Sequence, residues 1–335
     1  MQTHVISFRF LYLFLLSPLL LLAACGQTTV QQQPSQGQAT PVVATPTTAV
    51  DVYGTPVTFP KTAPQRIVTL ASSMSEILGA LKLEDKVIGV DSYTNYPPAL
   101  ASVKKVTDSN GAVNVEQIVA LKPDLVLSSG GLTKNYDAQL SKLNVHVVDL
   151  PPGNFDQTLQ QILLVGRLTY TQSVAQTLVT QLQQQVQQVK SAVVGTPSSK
   201  VMLEVDYSTP GKPYVFGGGS FGDQILQYAH ASNIFHTNNA NSGYPQVTDE
   251  SVISADPQYV ILTEDPLYGG KPDTVYKRAN WNNIEAVKEH HVYHVNTDIM
   301  QRPGPRLVEG LRCVAQIVHP DKFSGALPTY CSATI

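Results

Sequence analysis

Short apolar runs alternate with amphipathic stretches from residue 67 onward, and this alternation predicts the fold. IVTL (67–70) and KVIGV (86–90) have the length and β-branched content of buried strands. SEILGALKL (75–83) and VEQIVALK (115–122) carry apolar residues at helical spacing. Two more apolar runs, DLVLSS and VHVVDL, come after them. Strands that alternate with helices predict βαβ units around a mainly parallel sheet.

The same order of elements returns in the second half of the chain. Residues 114–127 read NVEQIVALKPDLVL and residues 248–262 read TDESVISADPQYVIL, and Glu116 and Glu250 each stand seven residues before a proline. The offset between the two copies is 134 residues. We therefore predict an α/β fold with two Rossmann-like lobes, each with a central, mainly parallel sheet. The predicted elements of the second lobe are VMLEVD (201–206), helices through DQILQYAH (223–230) and DESVISAD (249–256), QYVILTE (258–264) and VYHVN (292–296).

A single long helix is predicted between the two lobes, at residues 171–193. Its apolar residues recur every three or four positions and its opposite face is almost all glutamine. A helix of this length would span about 35 Å, enough to hold two lobes at a nearly fixed angle. A coiled-coil dimer is the alternative interpretation of the stripe. The stripe consists of Val174, Leu178, Leu182, Val186, Val189 and Val193.

The amino terminus has the pattern of an exported lipoprotein. Arg9 precedes an apolar stretch at residues 10–24, which is too short and wrongly flanked for a spanning helix. Its last residues with the following cysteine, LAAC, resemble the lipobox of bacterial lipoproteins, in which the cysteine carries the lipid. We expect Cys25 to be lipidated and the mature protein to be anchored to the outside of the cell membrane. A plain secretory peptide with a stray cysteine is the alternative.

The composition beyond Cys25 divides the rest of the chain. Residues 26–50 carry no charged side chain and are rich in Gln, Thr, Pro and Ala, which predicts a disordered tether with a reach of about 25 to 30 Å. The predicted regions are a signal peptide at 1–24, a tether at 25–50, an amino-terminal lobe at 51–168, the helix region at 169–195 and a carboxyl-terminal lobe at 196–335.

Charge and cysteine content narrow the possible partners and compartment. The formal net charge of −3 gives no electrostatic footprint for nucleic acid, and no nucleic-acid partner is expected. With Cys25 lipidated, Cys313 and Cys331 remain as an even pair in an oxidising compartment. We predict a disulfide between them that holds the carboxyl-terminal tail to the last helix. Two unpaired thiols are the alternative.

Several separated stretches resemble one family of transport proteins. They are PQRIVTLASSMSEILGALKLEDKVIGVDSYTNYP, NVEQIVALKPDLVLSSGG, WNNIEAVKEHHVYHVN and RPGPRLVEGL. In this order they are similar to the helical-backbone substrate-binding proteins of ABC importers, the ferric-siderophore and cobalamin receptors, over roughly residues 51–323. The resemblance implies a monomeric extracytoplasmic receptor, with no enzymatic activity and no resident cofactor. Such a receptor takes a metal chelate into a cleft between its lobes and delivers it to an ABC permease with its ATPase.

The resemblance also gives the repeated glutamates a role. In the family, a glutamate at the start of a helix in each lobe pairs with arginines on the permease, which here implies docking through Glu116 and Glu250. The simpler explanation is that both are first-turn acids favoured by the helix dipole. The two roles are compatible.

The candidate ligand site follows from the predicted sheets. In open α/β sheets the ligand lies beyond the carboxyl ends of the strands, which selects the turns after each strand. Tyrosine is frequent in these turns and gives flat contact area with a hydroxyl at its edge, which suits a bulky ligand with a polar rim. The predicted ligand-binding residues are Ser72, Tyr93, Gly130, Tyr207, Tyr268 and Arg302 in these turns, and Tyr244 in a neighbouring loop.

Cations are scarce at the predicted cleft. Arg302 is the one arginine placed there, and Arg306 in the same RPGPR turn is expected to be a structural residue that closes that loop. This scarcity favours a neutral or weakly charged chelate, such as a corrinoid or a hydroxamate siderophore.

The histidines of EHHVYH offer a competing site. His290 and His291 precede a predicted strand, at the end away from the cleft, and His294 lies on the strand itself, so a metal site is not predicted. The alternatives are a metal-dependent enzyme on the same scaffold, using these histidines, or a receptor for free divalent metal that also uses His146. Catalysis has little support, because the mature chain contains no HExxH or P-loop motif.

Overall fold

The structure is a computed structural model that describes residues 49–131, 133–151, 153–266 and 269–331. Cys25, the predicted signal peptide and nearly all of the predicted tether lie outside the described residues. Two α/β lobes joined by one long helix make up the described chain, which confirms the predicted fold class. Within this part of the chain, no helix has the length and apolar character needed to cross a bilayer.

The amino-terminal lobe is built on a four-stranded sheet in the order β2-β1-β3-β4, with every pairing parallel. The strands are short, and they are buried because helices cover both faces of the sheet. The strands are β1 (Ile67–Thr69), β2 (Val87–Gly89), β3 (Leu125–Ser129) and β4 (Val147–Leu150), and the helices are α1 (Ser72–Ala80), α2 (Pro98–Ala101), α3 (Val115–Leu121), α4 (Lys134–Lys142) and α5 (Phe155–Leu168).

The carboxyl-terminal lobe repeats this sheet with an added edge. Its parallel strands run β7-β5-β8-β9, and β6 pairs antiparallel with β5. The strands are β5 (Lys200–Asp206), β6 (Tyr214–Val215), β7 (Ser232–Asn233), β8 (Tyr259–Leu262) and β9 (Val292–His294). The helices are α7 (Phe221–Tyr228), α8 (Ala240–Gly243), α9 (Asp249–Ala255), α10 (Pro272–Val275), α11 (Glu285–Lys288), α12 (Thr297–Gln301) and α13 (Leu307–Val318), after α6 (Gln172–Val193) between the lobes. Single 3₁₀ turns lie at Glu84–Lys86, Trp281–Asn283, Pro320–Lys322 and Thr329–Cys331.

The repeated sequence pattern corresponds to a repeated structural unit. Helices α3 and α9 have seven residues each and begin 134 residues apart. The side chains of Asn114 and Thr248 cap them by accepting a hydrogen bond from the backbone N–H three residues on. Both helices end in a left-handed residue, Lys122 at φ 50° and Asp256 at φ 48°, immediately before a proline that cannot continue the helix.

Helix α6 connects the two lobes, and its buried face differs in one respect from the predicted apolar stripe. It packs against α5 and against α13. Val174 and Leu178 of the stripe are half-buried, whereas Ala175 and Val179 are fully buried. The reason is the close approach of α5, where a β-carbon on Gly166 would lie 2.5 Å from the Ala175 β-carbon. The first turns of α6 therefore bury a face rotated toward α5.

One hydrophobic core spans both lobes. It includes Ile67 of β1 and Val201 of β5, which are joined through the buried residues of α5, α6 and α13. Two smaller clusters cover the outer faces of the sheets, around Ile118 in the first lobe and Trp281 in the second. Because the central core is continuous, rotation of one lobe against the other would disrupt packing along α6.

The carboxyl-terminal segment is held to α13. A disulfide joins Cys313 to Cys331, with 5.2 Å between their α-carbons, and both cysteines are fully buried. Gln316 of the same helix donates a hydrogen bond to the Gly325 carbonyl at 3.0 Å. The Asn296 N–H reaches the Tyr330 carbonyl at 3.1 Å, so the segment also contacts the residues that lead into α12.

Candidate ligand-binding cleft

A cavity of about 530 Å³ lies where the carboxyl ends of the first-lobe strands face the second lobe. In the first lobe it opens at the turns after β1 and β3, between which the strand order reverses direction, as the topological rule predicts. The lining residues are Leu70, Ala71, Ser72, Ser73, Asp91, Tyr93, Thr107, Asn110, Gly111, Ser129, Gly130, Thr133, Gly153, Phe221, Tyr244, Gln301, Arg302 and Pro303.

Asp91 organises the first-lobe wall. Its Oδ1 accepts hydrogen bonds from the Ser72 hydroxyl at 2.8 Å and from the Tyr93 N–H at 2.9 Å. The Thr94 hydroxyl donates to its other oxygen. Tyr93 itself is 58% exposed, and its hydroxyl donates to the Ser109 carbonyl. The ring is therefore fixed at the mouth of the cavity with most of its surface available for contact.

The turn after β3 brings the backbone close to the cavity. Gly130 has a φ of 75°, and a β-carbon there would meet no described heavy atom within 4 Å, so its backbone angle, and not crowding, favours glycine. Behind this turn, Asp149 of β4 accepts a hydrogen bond from the Gly131 N–H at 3.3 Å. Burial, with the nearby Asp137 carboxylate, raises the pKa of Asp149 to about 7.

Aromatic rings form the second-lobe wall. The Tyr244 ring lies 5.4 Å from that of Phe216 and 6.2 Å from that of Phe221, centroid to centroid. Burial raises the pKa of the Tyr244 hydroxyl, so this group stays neutral and can only exchange hydrogen bonds. An apolar wall with one hydroxyl suits a large ligand with a few polar groups at its edge.

Gln301 covers the strand ends of the second lobe. Its Nε2 donates to the Val205 and Thr263 carbonyls at 3.0 and 3.1 Å. The strand order also reverses between β5 and β8, so this amide occupies the second lobe's own switch point. This explains why the turns after β5 and β8 contribute no residue to the described lining.

Arg302 lies in the lining, but both terminal nitrogens of its guanidinium have partners. It contacts the Asp298 carboxylate at 2.6 Å and donates to the Asn95 side-chain oxygen at 2.7 Å and to the Tyr93 carbonyl at 3.1 Å. The Glu76 carboxylate lies 3.6 Å away. Because Asn95, Tyr93 and Glu76 belong to the first lobe, Arg302 bridges the cleft at one end.

Arg306 makes a second bridge beside it. Its Nε donates to Glu76 Oε2 at 2.9 Å, and its Nη2 donates to Oε1 of the same carboxylate. The guanidinium also lies 4.2 Å from the centre of the Tyr96 ring. Arg306 therefore has a structural contact, as predicted. The contact joins the two lobes, however, and does not close the loop that contains Arg306.

The structure thus brings five of the seven predicted ligand-binding residues around one cavity: Ser72, Tyr93, Gly130, Tyr244 and Arg302. Tyr207 is not in the lining, because its ring lies 3.5 Å from the Arg278 guanidinium and its hydroxyl donates to Asp249 at 2.9 Å. Tyr268 lies outside the described residues. The role of these residues in binding stays a prediction.

Sequence reasoning missed the loop that carries Thr107, Asn110 and Gly111. This loop follows no named strand, so the strand-end rule did not select it. The sequence DSNG is a turn signal, and Asp108 accepts hydrogen bonds from the backbone N–H groups of Asn110 and Ala112 at 2.8 and 2.9 Å. A search for Asx turns near the strand ends would have found it.

The histidines lie away from the cavity. His291 stacks on the Tyr259 ring at 4.7 Å, and His290 lies 5.6 Å from the Tyr276 ring. His294 is buried, with its Nε2 2.8 Å from the Glu264 carbonyl oxygen. Burial lowers the pKa of His146 in the first lobe. Among the described residues, no group of three or more His, Cys, Asp or Glu side chains could hold a metal ion.

Glu116 and Glu250 are both exposed, at the second position of α3 and of α9. Hydrogen bonds from its own backbone N–H and from the Thr248 side chain lower the pKa of Glu250. Each helix leads into a parallel strand and runs opposite to it, so each begins at the edge of the sheet where the strands end. The two carboxylates therefore occupy equivalent positions on the cleft side of the two lobes.

A comparison with known proteins identifies the class to which this fold belongs. Residues 67–298 match the family model described as periplasmic binding protein. The chain therefore belongs to the periplasmic binding protein family, as the sequence resemblance predicted. It is a substrate-binding protein of the ABC importer type.

Two relatives and one solved structure show the extent of the likeness. The chain is 33% identical over 315 residues to an uncharacterized ABC transporter substrate-binding lipoprotein, YvrC, of Bacillus subtilis, covering 92% of this chain and 96% of that relative. It is 27% identical to a cobalamin-binding protein of Halobacterium salinarum, covering 93% and 85%. The crystal structure of a possible iron-binding (periplasmic solute-binding) protein of Staphylococcus epidermidis superposes with a TM-score of 0.67 at 27% identity, covering 77% of this chain and 100% of that one.

Proposed function

We propose that this protein is a lipid-anchored, monomeric extracytoplasmic receptor that binds a metal chelate in the cleft and delivers it to an ABC permease driven by its ATPase. The carrying observation is the cavity at the switch point of the first lobe, closed by an aromatic wall from the second. Its size falls within the range of small-molecule sites. The chelate is cargo, so no resident cofactor is required.

The names of the relatives support this cargo. The Halobacterium relative is a cobalamin-binding protein and the Staphylococcus structure is of a possible iron-binding protein. Lipid attachment at Cys25 is supported by the LAAC motif and by the lipoprotein named in Bacillus. Binding without catalysis is supported by the names of the relatives, which describe binding proteins.

A ligand screen tests the binding part of this proposal. A ligand that binds only the native protein raises its unfolding temperature. We expect a thermal shift with at least one member of a panel of ferric hydroxamates, ferric catecholates, haem and cyanocobalamin, and a one-to-one complex in native mass spectrometry. No shift with any of them at saturating concentration would refute the proposal.

Charge reversal at the two exposed glutamates tests delivery. Carboxylates at equivalent positions on both lobes can set the register of a docked partner through complementary charge. Glu116→Lys with Glu250→Lys is expected to abolish uptake in cells while chelate affinity in solution stays unchanged. Glu289→Lys is the matched control, because Glu289 is exposed before β9, at the opposite edge of its sheet. Normal uptake by the double variant would refute the docking role.

A further inference from the structure

The charged side chains of the cavity suggest which ligands the site admits. Among the described lining residues only Asp91 and Arg302 are charged. The oxygens of Asp91 are occupied by Ser72, Tyr93 and Thr94, and the Lys105 ammonium donates to the Thr94 carbonyl on the same wall. The negative charge of Asp91 is therefore compensated by hydrogen-bond donors and by the nearby Lys105 ammonium, and this wall presents no uncompensated charge to the ligand.

Arg302 is neutralised within its own network. Asp298, one turn before it, and the buried Glu76 of α1 supply two carboxylates to the two guanidiniums of Arg302 and Arg306. The formal charges of these four groups cancel. A third carboxyl, Glu309 of α13, lies close enough to interact with Glu76 and Arg306, so the region carries no excess of positive charge.

The network also holds the guanidinium in place. The Asn95 amide donates to Asp298 Oδ2 at 2.9 Å while its oxygen accepts from Arg302, so an amide from the first lobe closes the arrangement. The Arg302 side chain is 16% exposed and Asp298 only slightly more. An anionic ligand that paired with Arg302 would have to break these contacts and leave the Asp298 carboxylate without its charge partner. The free energy lost in this way exceeds the free energy gained from the new contact.

We propose that Asp298, with Glu76, sets the charge specificity of the cleft by neutralising Arg302, so that the site accepts chelates with an uncharged or cationic buried face and excludes polyanionic ones. This inference rests on the proposed function and adds the charge class of the ligand. It assigns specificity to a side chain that is absent from the described cavity lining, one helical turn behind it.

Asp298→Asn tests this directly, because it removes one charge and keeps the shape and the oxygen that can accept from Asn95. The probes are cyanocobalamin, which is neutral, ferrioxamine B, a cation, and ferric enterobactin, a trianion, with dissociation constants from tryptophan and tyrosine quenching and from calorimetry. We expect the wild type to bind one of the first two and to bind the trianion at least tenfold more weakly. Asp298→Asn should strengthen binding of the trianion about tenfold, equivalent to about 1.4 kcal/mol.

Two further proteins separate charge specificity from general effects. Asp85→Asn makes the same charge change at an exposed residue before β2, at the far edge of the sheet, and should leave all affinities unchanged. Asp298→Asn with Arg302→Gln should lose the gained affinity for the trianion. Wild-type binding of ferric enterobactin as tight as that of the neutral probe, or no gain in Asp298→Asn, overturns the inference while the receptor function stands. Absence of wild-type binding to both cyanocobalamin and ferrioxamine B also overturns it, and absence of binding to every member of the wider panel, haem included, removes the receptor function itself.

Discussion

Arg306 of the second lobe donates two hydrogen bonds to Glu76 of the first, and Glu76 is only 2% exposed. A buried carboxylate without its partner is strongly destabilising, typically by about 3 to 5 kcal/mol. This pair therefore couples the two lobes in addition to α6.

Arg306→Gln is expected to lower the free energy of unfolding by roughly 3 kcal/mol, at the low end of that range because Arg302 remains 3.6 Å from Glu76. Urea denaturation of the soluble domain measures it. Glu76→Gln with Arg306→Gln should cost less than the sum of the two single changes, because no buried charge is left unpaired. Additive losses would show that the two residues do not interact energetically.

Because of Glu264, we expect the free energy of unfolding to depend on pH. Burial, with the nearby Glu204 carboxylate, raises the pKa of Glu264 to about 9 in the folded protein, against an ordinary value of 4.5. Between these two pH values the folded state binds more protons than the unfolded one, so stability is present at low pH and is lost as pH rises toward 9. Urea denaturation from pH 5 to 9 should show a slope of up to about 1.4 kcal/mol per pH unit from this group.

Glu264→Gln provides the control for that slope. The amide cannot ionise, so the difference between the wild type and the variant isolates the contribution of Glu264. Asp149, whose pKa is raised to about 7, contributes in the same direction in both proteins and cancels from the difference. Parallel pH profiles for the two proteins would show that Glu264 is ionised in the folded state at neutral pH.

Tyr93→Ala should weaken chelate binding about tenfold and leave stability within about 0.5 kcal/mol, because the ring is mostly exposed at the mouth of the cavity. Calorimetry and thermal unfolding give the two quantities. Tyr170→Ala is the matched control, since Tyr170 is also exposed and its hydroxyl also donates to a backbone carbonyl, that of Pro60. Equal affinities of both variants for the chelate would remove Tyr93 from the site.

The Cys313–Cys331 disulfide closes a loop with a sequence separation of 18 residues. Loop-closure entropy for this separation corresponds to about 3 kcal/mol of stability. Cys313→Ala with Cys331→Ala should lower the free energy of unfolding by about that amount and expose the segment after α13 to proteolysis. Glu289→Lys, an exposed substitution elsewhere, should leave the digestion pattern unchanged. An unchanged pattern in the cysteine variant would show that packing alone holds the segment.

Local sequence signals were sufficient for the lobes but not for every helix. The 134-residue repeat predicted α3 and α9 because their caps, terminal prolines and following strands are all short-range features. The capping pair of Asn154 and Gln157 is equally local and marks α5, yet no helix was predicted there. The buried face of α6 could not be predicted from local sequence, because the burial of Ala175 depends on Gly166 of the neighbouring helix.

In the cleft, the position of a residue after a strand was not sufficient to predict that it lines the cavity. The rule placed Tyr207 beside the ligand, and Tyr244 was predicted there from a neighbouring loop. Only Tyr244 lines the cavity, because Arg278 packs against the Tyr207 ring and the Gln301 amide covers the ends of β5 and β8. These contacts join residues that are distant in sequence.

The sequence by itself determined the two α/β lobes, the helix between them and the side of each sheet on which a ligand can lie, since these depend on hydrophobic period, caps and strand direction. The tertiary structure alone decided that Arg302 is neutralised by Glu76 and Asp298 and that Arg306 joins the lobes. The physical reason is that the effective charge of a side chain is set by neighbours within a few ångströms. Asp298 is only one turn from Arg302, but folding brings Glu76 to both arginines from the other lobe.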